Sequence, residues 1–141
     1  AYFSKTGNTE EAARQIQAVT DGDLFEITVA EPYPDGYQAT VERARQELDS
    51  NARPALSSTV ESMEDYDVIL VGYPIWWHTE PMAINTFLES YDLAGKTILP
   101  FCTSGGSGIE ESMPDMRRIG EARCILRKNV WTRPARPVHS F

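Results

Sequence analysis

Long apolar runs are missing from this chain. Its uninterrupted apolar stretches are only a few residues long, far short of the roughly 20 residues that span a bilayer. No basic-then-apolar leader precedes a small-residue cleavage site, so the expectation is a cytoplasmic protein with no membrane partner. Cysteine is scarce: Cys102 and Cys124 lie in apolar, strand-like contexts without metal-type spacing, which predicts two reduced core thiols. Histidine is equally scarce. His78 and His139 are far apart, so no metal cluster is expected. Basic residues are outnumbered, 13 against 21 acidic, for a net charge of −8. That balance disfavours nucleic acid or an anionic membrane as a partner. It suits docking to a basic protein surface, or serves solubility alone. There is no internal repeat and no low-complexity tract.

What is present is an alternating pattern. The 141 residues predict one domain, 1–141, large enough for a hydrophobic core. After Tyr2 and Phe3 comes a polar loop, then Ala12, Ala13, Ile16 and Val19 at helical spacing. Asn8 and Glu11 fit a capping box at that helix start. "LFEI" (24–27) reads as a short strand, and a Pro/Gly loop leads to a helix carrying Tyr37, Val41, Ala44 and Leu48 on one face. "VILV" (68–71) suits a strand buried on both faces of a parallel sheet. Pro81 can open the next helix, on which Ile84, Phe87, Leu88 and Tyr91 follow one face. "KTILPFC" predicts another strand, a helix from about Ser112 carries Pro114 in its first turn, and "ARCIL" (122–126) is the last strand.

Strand and helix thus alternate, which implies an α/β, doubly wound parallel sheet. The first strand is short and the last helix is missing or atypical. Residues 127–141 read as an extended tail, and its Trp131, Val138 and Phe141, or a second copy in a homodimer, would cover the sheet near its last strand.

In such a sheet all strand-to-helix loops open at one edge, where ligands bind. Three of these loops are chemically unusual. "SKTGNT" (4–9) puts hydroxyls and amides at a helix N-terminus, with Gly7 permitting close backbone approach; this suits a phosphate, though a capped turn uses the same residues. It lacks a Gly-Lys-Ser/Thr ending, so Mg-nucleotide hydrolysis is not expected. Pro74, Ile75, Trp76, Trp77 and His78 form the second loop. Its tryptophans either stack on a planar ligand or pack on a neighbouring helix. Thr103, Ser104, Gly105, Gly106 and Gly108 make a third loop with almost no bulk. Together they describe an anion cradle, an aromatic wall and an open floor, which fits a phosphorylated planar ring.

"YFSKTGNT" and "GYPIWWHTEPMAINTFLESYDLAGKTILPFCTSGGSG" resemble the flavodoxin family, particularly its short members with a PIWW loop. The match runs to about Cys124. The resemblance implies a five-stranded parallel sheet of order 2-1-3-4-5 and noncovalent flavin mononucleotide (FMN). Ser4, Thr6, Asn8 and Thr9, with the backbone of Lys5 and Gly7, would then hold the phosphate. Pro74, Ile75, Trp76, Trp77 and His78 would line the ribityl chain and one side of the ring, and Thr103, Ser104, Gly105, Gly106 and Gly108 would border the other. The chain departs from the family's usual carriers in having no Tyr in the third loop and His78 where Gly is common. The implied function is a low-potential electron carrier for redox partner proteins with a basic docking surface, with no catalytic residue of its own. The alternative is an FMN-dependent NAD(P)H:quinone-type oxidoreductase.

Overall fold

A computed structural model of the chain describes residues 1–106, 108–120, 125–126 and 132–134. Its centre is a parallel ladder. Strand β1 (Val68–Pro74) pairs residue for residue with β2 (Thr97–Ser104), from Val68↔Thr97 to Pro74↔Thr103. On the other edge of β2, β3 (Ile125–Leu126) pairs with residues 97–98 and β4 (Thr132–Pro134) with residues 102–104, both parallel. Within the stretch expected to trail away as a tail, Thr132–Pro134 is therefore sheet backbone. The expected roles of Trp131, Val138 and Phe141, and the expected burial of Cys124, lie outside the described residues.

The amino end of the chain enters the sheet briefly. Tyr2 makes isolated parallel bridges to Glu26 on one side and Gly72 of β1 on the other. The expected strand at 24–27 is reduced to that single bridge.

Among the described residues, four α-helices cover the faces: α1 (Asn8–Thr20), α2 (Tyr37–Asp49), α3 (Met82–Glu89) and α4 (Met113–Gly120). Three boundaries differ in detail from the sequence pattern. The cap of α1 is Gly7, which has no side chain to accept from the first-turn amides; Glu11 accepts from Gln15 at 3.3 Å, and the expected capping box of Asn8 and Glu11 is not seen. Pro81 stands just outside α3 as its N-cap, and α3 stops at Glu89, leaving Tyr91 beyond it. Pro114 does fall in the first turn of α4, where its missing N–H costs nothing.

Apolar side chains on the two sheet faces form two clusters. The larger contains Phe3, Ile27, Val71, Tyr73, Trp76, Ile84 and Phe87; the smaller joins Tyr2, Ala12, Ala13 and Phe101 beneath α1. Gly72 explains how Phe101 fits: a Cβ there would lie 2.2 Å from the Phe101 ring. The glycine, elsewhere a weak strand former, is required by that close approach.

Candidate functional site

Parallel strands carry their following loops to the same sheet edge, and hydrogen bonds tie three of those loops together. The Thr9 and Thr103 hydroxyls lie 2.8 Å apart in the interior, joining the first loop to the third. The Ile75 amide donates to the Thr103 carbonyl at 3.0 Å, joining the second to the third. On the outside, His78 Nδ1 lies 2.6 Å from Glu111 Oε2. That contact is exposed, and such pairs contribute little.

In the first loop, Gly7 holds φ 90°, the left-handed region that glycine enters without penalty. Its amide donates to Ser4 Oγ at 3.1 Å, and Asn8 Nδ2 donates to Thr6 Oγ1 at 3.3 Å. Among the described residues, the amides of Thr6, Asn8 and Thr9 have no acceptor in the protein. These are the free donors of a helix start, at the positive end of its dipole. Glu10 and Glu11 do not oppose an anion here, because each turns along the helix. Glu10 pairs with Arg14 at 2.8 Å and Glu11 accepts from Gln15.

The second loop is a tight reversal. Trp76 and Thr79 exchange backbone hydrogen bonds of 2.8 and 3.1 Å, and between them Trp77 and His78 both have positive φ, 51° and 64°. Two positive φ angles in a two-residue turn are the type I′ arrangement, usually given to Asn-Gly. Trp76 is buried, with its ring edge-to-face against Phe3 (5.3 Å) and Tyr33 (5.2 Å). Trp77 is half-buried against α2: its indole N–H donates to the Val41 carbonyl at 3.1 Å and the Arg45 guanidinium lies 5.0 Å over its ring. The Trp77 ring thus packs on a neighbouring helix, α2, while the Trp76 ring sits in the core against Phe3 and Tyr33.

In the third loop, Ser104 Oγ accepts from the Gly106 amide at 3.2 Å, the same local clasp that Ser4 makes on Gly7. A side chain at Gly106 would meet no atom within 4 Å. The predicted site residues thus divide. Thr9, Ile75, Trp76, Thr103 and Ser104 are buried supports, while Lys5, Thr6, Gly7, His78, Gly105 and Gly106 are exposed at the loop surfaces. Ser4, Asn8, Pro74, Trp77 and Gly108 are intermediate.

One cluster beneath the second loop escaped sequence reasoning. Thr79 Oγ1 lies 2.6 Å from Glu80 Oε2 and 3.0 Å from Asp115 Oδ2. A single hydroxyl proton cannot serve both carboxylates, so the trio is satisfied when one carboxyl is protonated. Glu80 is fully buried and its second oxygen has no partner. Burial, with Asp115 adding to it, raises the Glu80 carboxyl to about 7 against the bond from Thr79. Only the position of Glu80 just before Pro81 and an apolar helix hinted at this.

Residues 1–127 match the family model described as flavodoxin. The chain belongs to the flavodoxin family. A flavodoxin of Haemophilus influenzae is 30% identical over 131 residues, covering 89% of this chain and 59% of that protein. The chain spans about three fifths of the length of the curated relatives it matches, 59% and 60% of them. A Bacteroides uniformis crystal structure, described as a candidate flavoprotein, superimposes with a TM-score of 0.85 at 37% identity, covering 96% of this chain and 89% of that one. A Lactobacillus acidophilus flavoprotein, solved in complex with FMN, gives a TM-score of 0.77 at 24% identity over 94% of this chain and 88% of that one. The α/β flavodoxin-like fold follows from these likenesses together with the parallel ladder. No helix among the described residues is long and apolar enough to cross a membrane.

Proposed function

We propose that this flavodoxin-family chain binds FMN noncovalently and acts as a low-potential electron carrier. The observation that carries the reading is the buried Thr9–Thr103 contact, which draws a loop of free helix-start amides against the glycine loop. The residues fit the group. Gly7 clears space at the amides, since a Cβ there would meet nothing within 4 Å, and free amides at a helix start suit a phosphate. Ser4, Thr6, Asn8 and Thr9, with the Lys5 and Gly7 backbone, hold the phosphate. Thr103, Ser104, Gly105, Gly106 and Gly108 border one side of the ring. Pro74, Ile75, Trp77 and His78 border the other, while Trp76 stiffens that loop from within the core. The bridges of Tyr2 to Glu26 and Gly72, with the β1–β2 ladder and β3 and β4 beyond it, support a five-stranded parallel sheet of order 2-1-3-4-5.

Bound FMN supplies reversible electron transfer. The chain's part is to position it and set its electrostatic surroundings. Glu110, Glu111 and Asp115 follow the third loop closely, and negative charge there disfavours adding electrons to a nearby group. The same acidity suits a cytosolic redox partner with a basic docking surface.

Titrating the apoprotein with FMN and with riboflavin tests the reading through quenching of flavin fluorescence. FMN is expected to bind at least about 100-fold more tightly, equivalent to roughly 3 kcal/mol from the phosphate cradle. Equal affinities would remove the first loop from the site, and no binding of either would remove the function.

A further inference from the structure

Thr79 holds the second loop with its backbone and two carboxyl groups with its side chain. Its N–H and C=O close the turn that presents Trp77 and His78, through bonds of 3.1 and 2.8 Å with Trp76. Its hydroxyl lies 2.6 Å from Glu80 Oε2 and 3.0 Å from Asp115 Oδ2. Asp115 belongs to α4, which follows the third loop. One side chain therefore joins the two segments that border the proposed ring site.

That joint is short of hydrogens. Two carboxyl groups face one hydroxyl, and Glu80 Oε1 and Asn85 Oδ1, both buried, have no partner. A void of about 10 Å³ beside Glu80 separates Trp76 and Thr79 from Ala44, Glu47 and Leu48 of α2. It is at the lower limit for a single water molecule. An ionised carboxylate needs several donors to be tolerated in such a place. A neutral carboxyl needs fewer, and it supplies a hydrogen itself.

The surrounding charges do not offset ionisation. Asp115 is itself acidic and pairs with the exposed Arg118 at 3.0 Å. Glu47 is held by Arg43 at 3.0 Å and by the Tyr33 hydroxyl. His78 pairs outside with Glu111, and the Tyr73 hydroxyl of β1 lies 2.9 Å from Ser112 Oγ. Among the described residues, no cation pairs with Glu80. Burial raises its carboxyl, and Asp115 adds to the rise. Ionisation of Glu80 therefore requires the packing between the second loop and α2 to open and admit water.

We propose that Glu80 is a positioning residue for the flavin site, holding the second loop against α2 and α4 while it keeps its proton. When that proton leaves to solvent, water enters the joint and the turn carrying Trp77 and His78 loosens. Flavin affinity falls with it. The inference rests on the FMN reading above, since the loosened turn is the one assigned to the ring.

The test compares the parent chain with Glu80→Gln, which keeps the shape and cannot ionise, and with Thr79→Ser, which keeps the hydroxyl. Each apoprotein is titrated with FMN and with riboflavin from about pH 5.5 to 8.5, the range in which a raised carboxyl releases its proton. Riboflavin lacks the phosphate, which itself ionises near roughly pH 6. As pH rises, the parent and Thr79→Ser are expected to lose about tenfold in affinity for both flavins relative to Glu80→Gln. The Thr79 amide reports the turn without flavin. Its protection from hydrogen exchange should fall about tenfold over the same range in the parent and stay constant in Glu80→Gln. Matching protection profiles in those two proteins overturn the proposal whether or not flavin binds. So does protection that falls while the ratio of flavin affinities stays constant. Failure of every protein to bind either flavin removes the FMN reading, and the exchange profile still decides whether Glu80 holds the turn.

Discussion

The hydroxyls of Thr9 and Thr103, 94 positions apart in the chain, meet at 2.8 Å in the interior. One opens α1 and the other closes β2, so this contact registers the first loop against the third. Thr9→Val or Thr103→Val alone leaves the other hydroxyl buried and unpartnered, at a cost of about 1–3 kcal/mol. The double variant replaces both with apolar groups of similar shape and is expected to recover most of that loss. Urea denaturation of the four proteins measures the coupling. Strictly additive single losses would mean that the contact contributes nothing specific.

Gly7 has φ 90° and open space where a Cβ would stand. Gly7→Ala therefore costs roughly 1–2 kcal/mol of backbone strain but creates no clash in the protein. The methyl group enters the proposed phosphate cradle, so FMN affinity should fall while riboflavin affinity holds. Gly7→Val, with its branched side chain, should lose more of both stability and FMN. Unimpaired FMN binding by a folded Gly7→Ala protein would move the cradle elsewhere.

Glu80 ties stability to pH. Its carboxyl is raised from 4.5 to about 7 chiefly by burial. Between those values the folded protein holds a proton that the unfolded chain has released, so stability falls as pH rises through the window. The loss is on the order of 3 kcal/mol and is complete above the folded value. Glu80→Gln should remove the decline and exceed the parent in stability above about pH 7. Parallel pH profiles for the two proteins would show that Glu80 carries no such linkage.

Trp77 and His78 hold positive φ without being glycine, which costs on the order of 1–3 kcal/mol per residue. His78→Gly removes the strain at one position and gives up only an exposed contact with Glu111. The melting temperature should rise, by an amount corresponding to about 1 kcal/mol. A fall would mean that the His78–Glu111 pair matters more than its exposure implies.

Cys102 is buried, and burial, with Glu110 adding to it, pushes its thiol up to about 12. In a Cys124→Ser background the folded protein should resist disulfide-exchange reagents, because the thiolate is the reactive form. Unfolding in urea should expose one rapidly reacting thiol. Fast reaction without denaturant would place Cys102 nearer solvent than its surroundings allow.

Much of the fold was legible because apolar spacing reports how an element meets its neighbours. The unbroken run at Val68–Val71 announced a strand covered on both faces, and Pro114 marked the first turn of α4. The capping box failed for a local reason: Asn8 lies inside the helix once Gly7 takes the left-handed cap, so its side chain reaches Thr6 instead. The tryptophan loop was legible as unusual but not in its direction. The same two residues could face a ligand or a helix, and only Phe3, Tyr33 and the Val41 carbonyl decide between those.

Sequence alone determined which residues could bind an anion, the alternation of strand and helix, and thereby that three distinctive loops share one sheet edge. Those properties follow from side-chain chemistry and from periods of a few residues. Tertiary structure alone decided that Thr9 touches Thr103, that Trp76 is core, and that Glu80 and Asp115 share one hydroxyl. Each of these depends on contacts between segments distant along the chain, and no local pattern encodes which of the available partners will be adjacent once the sheet has formed.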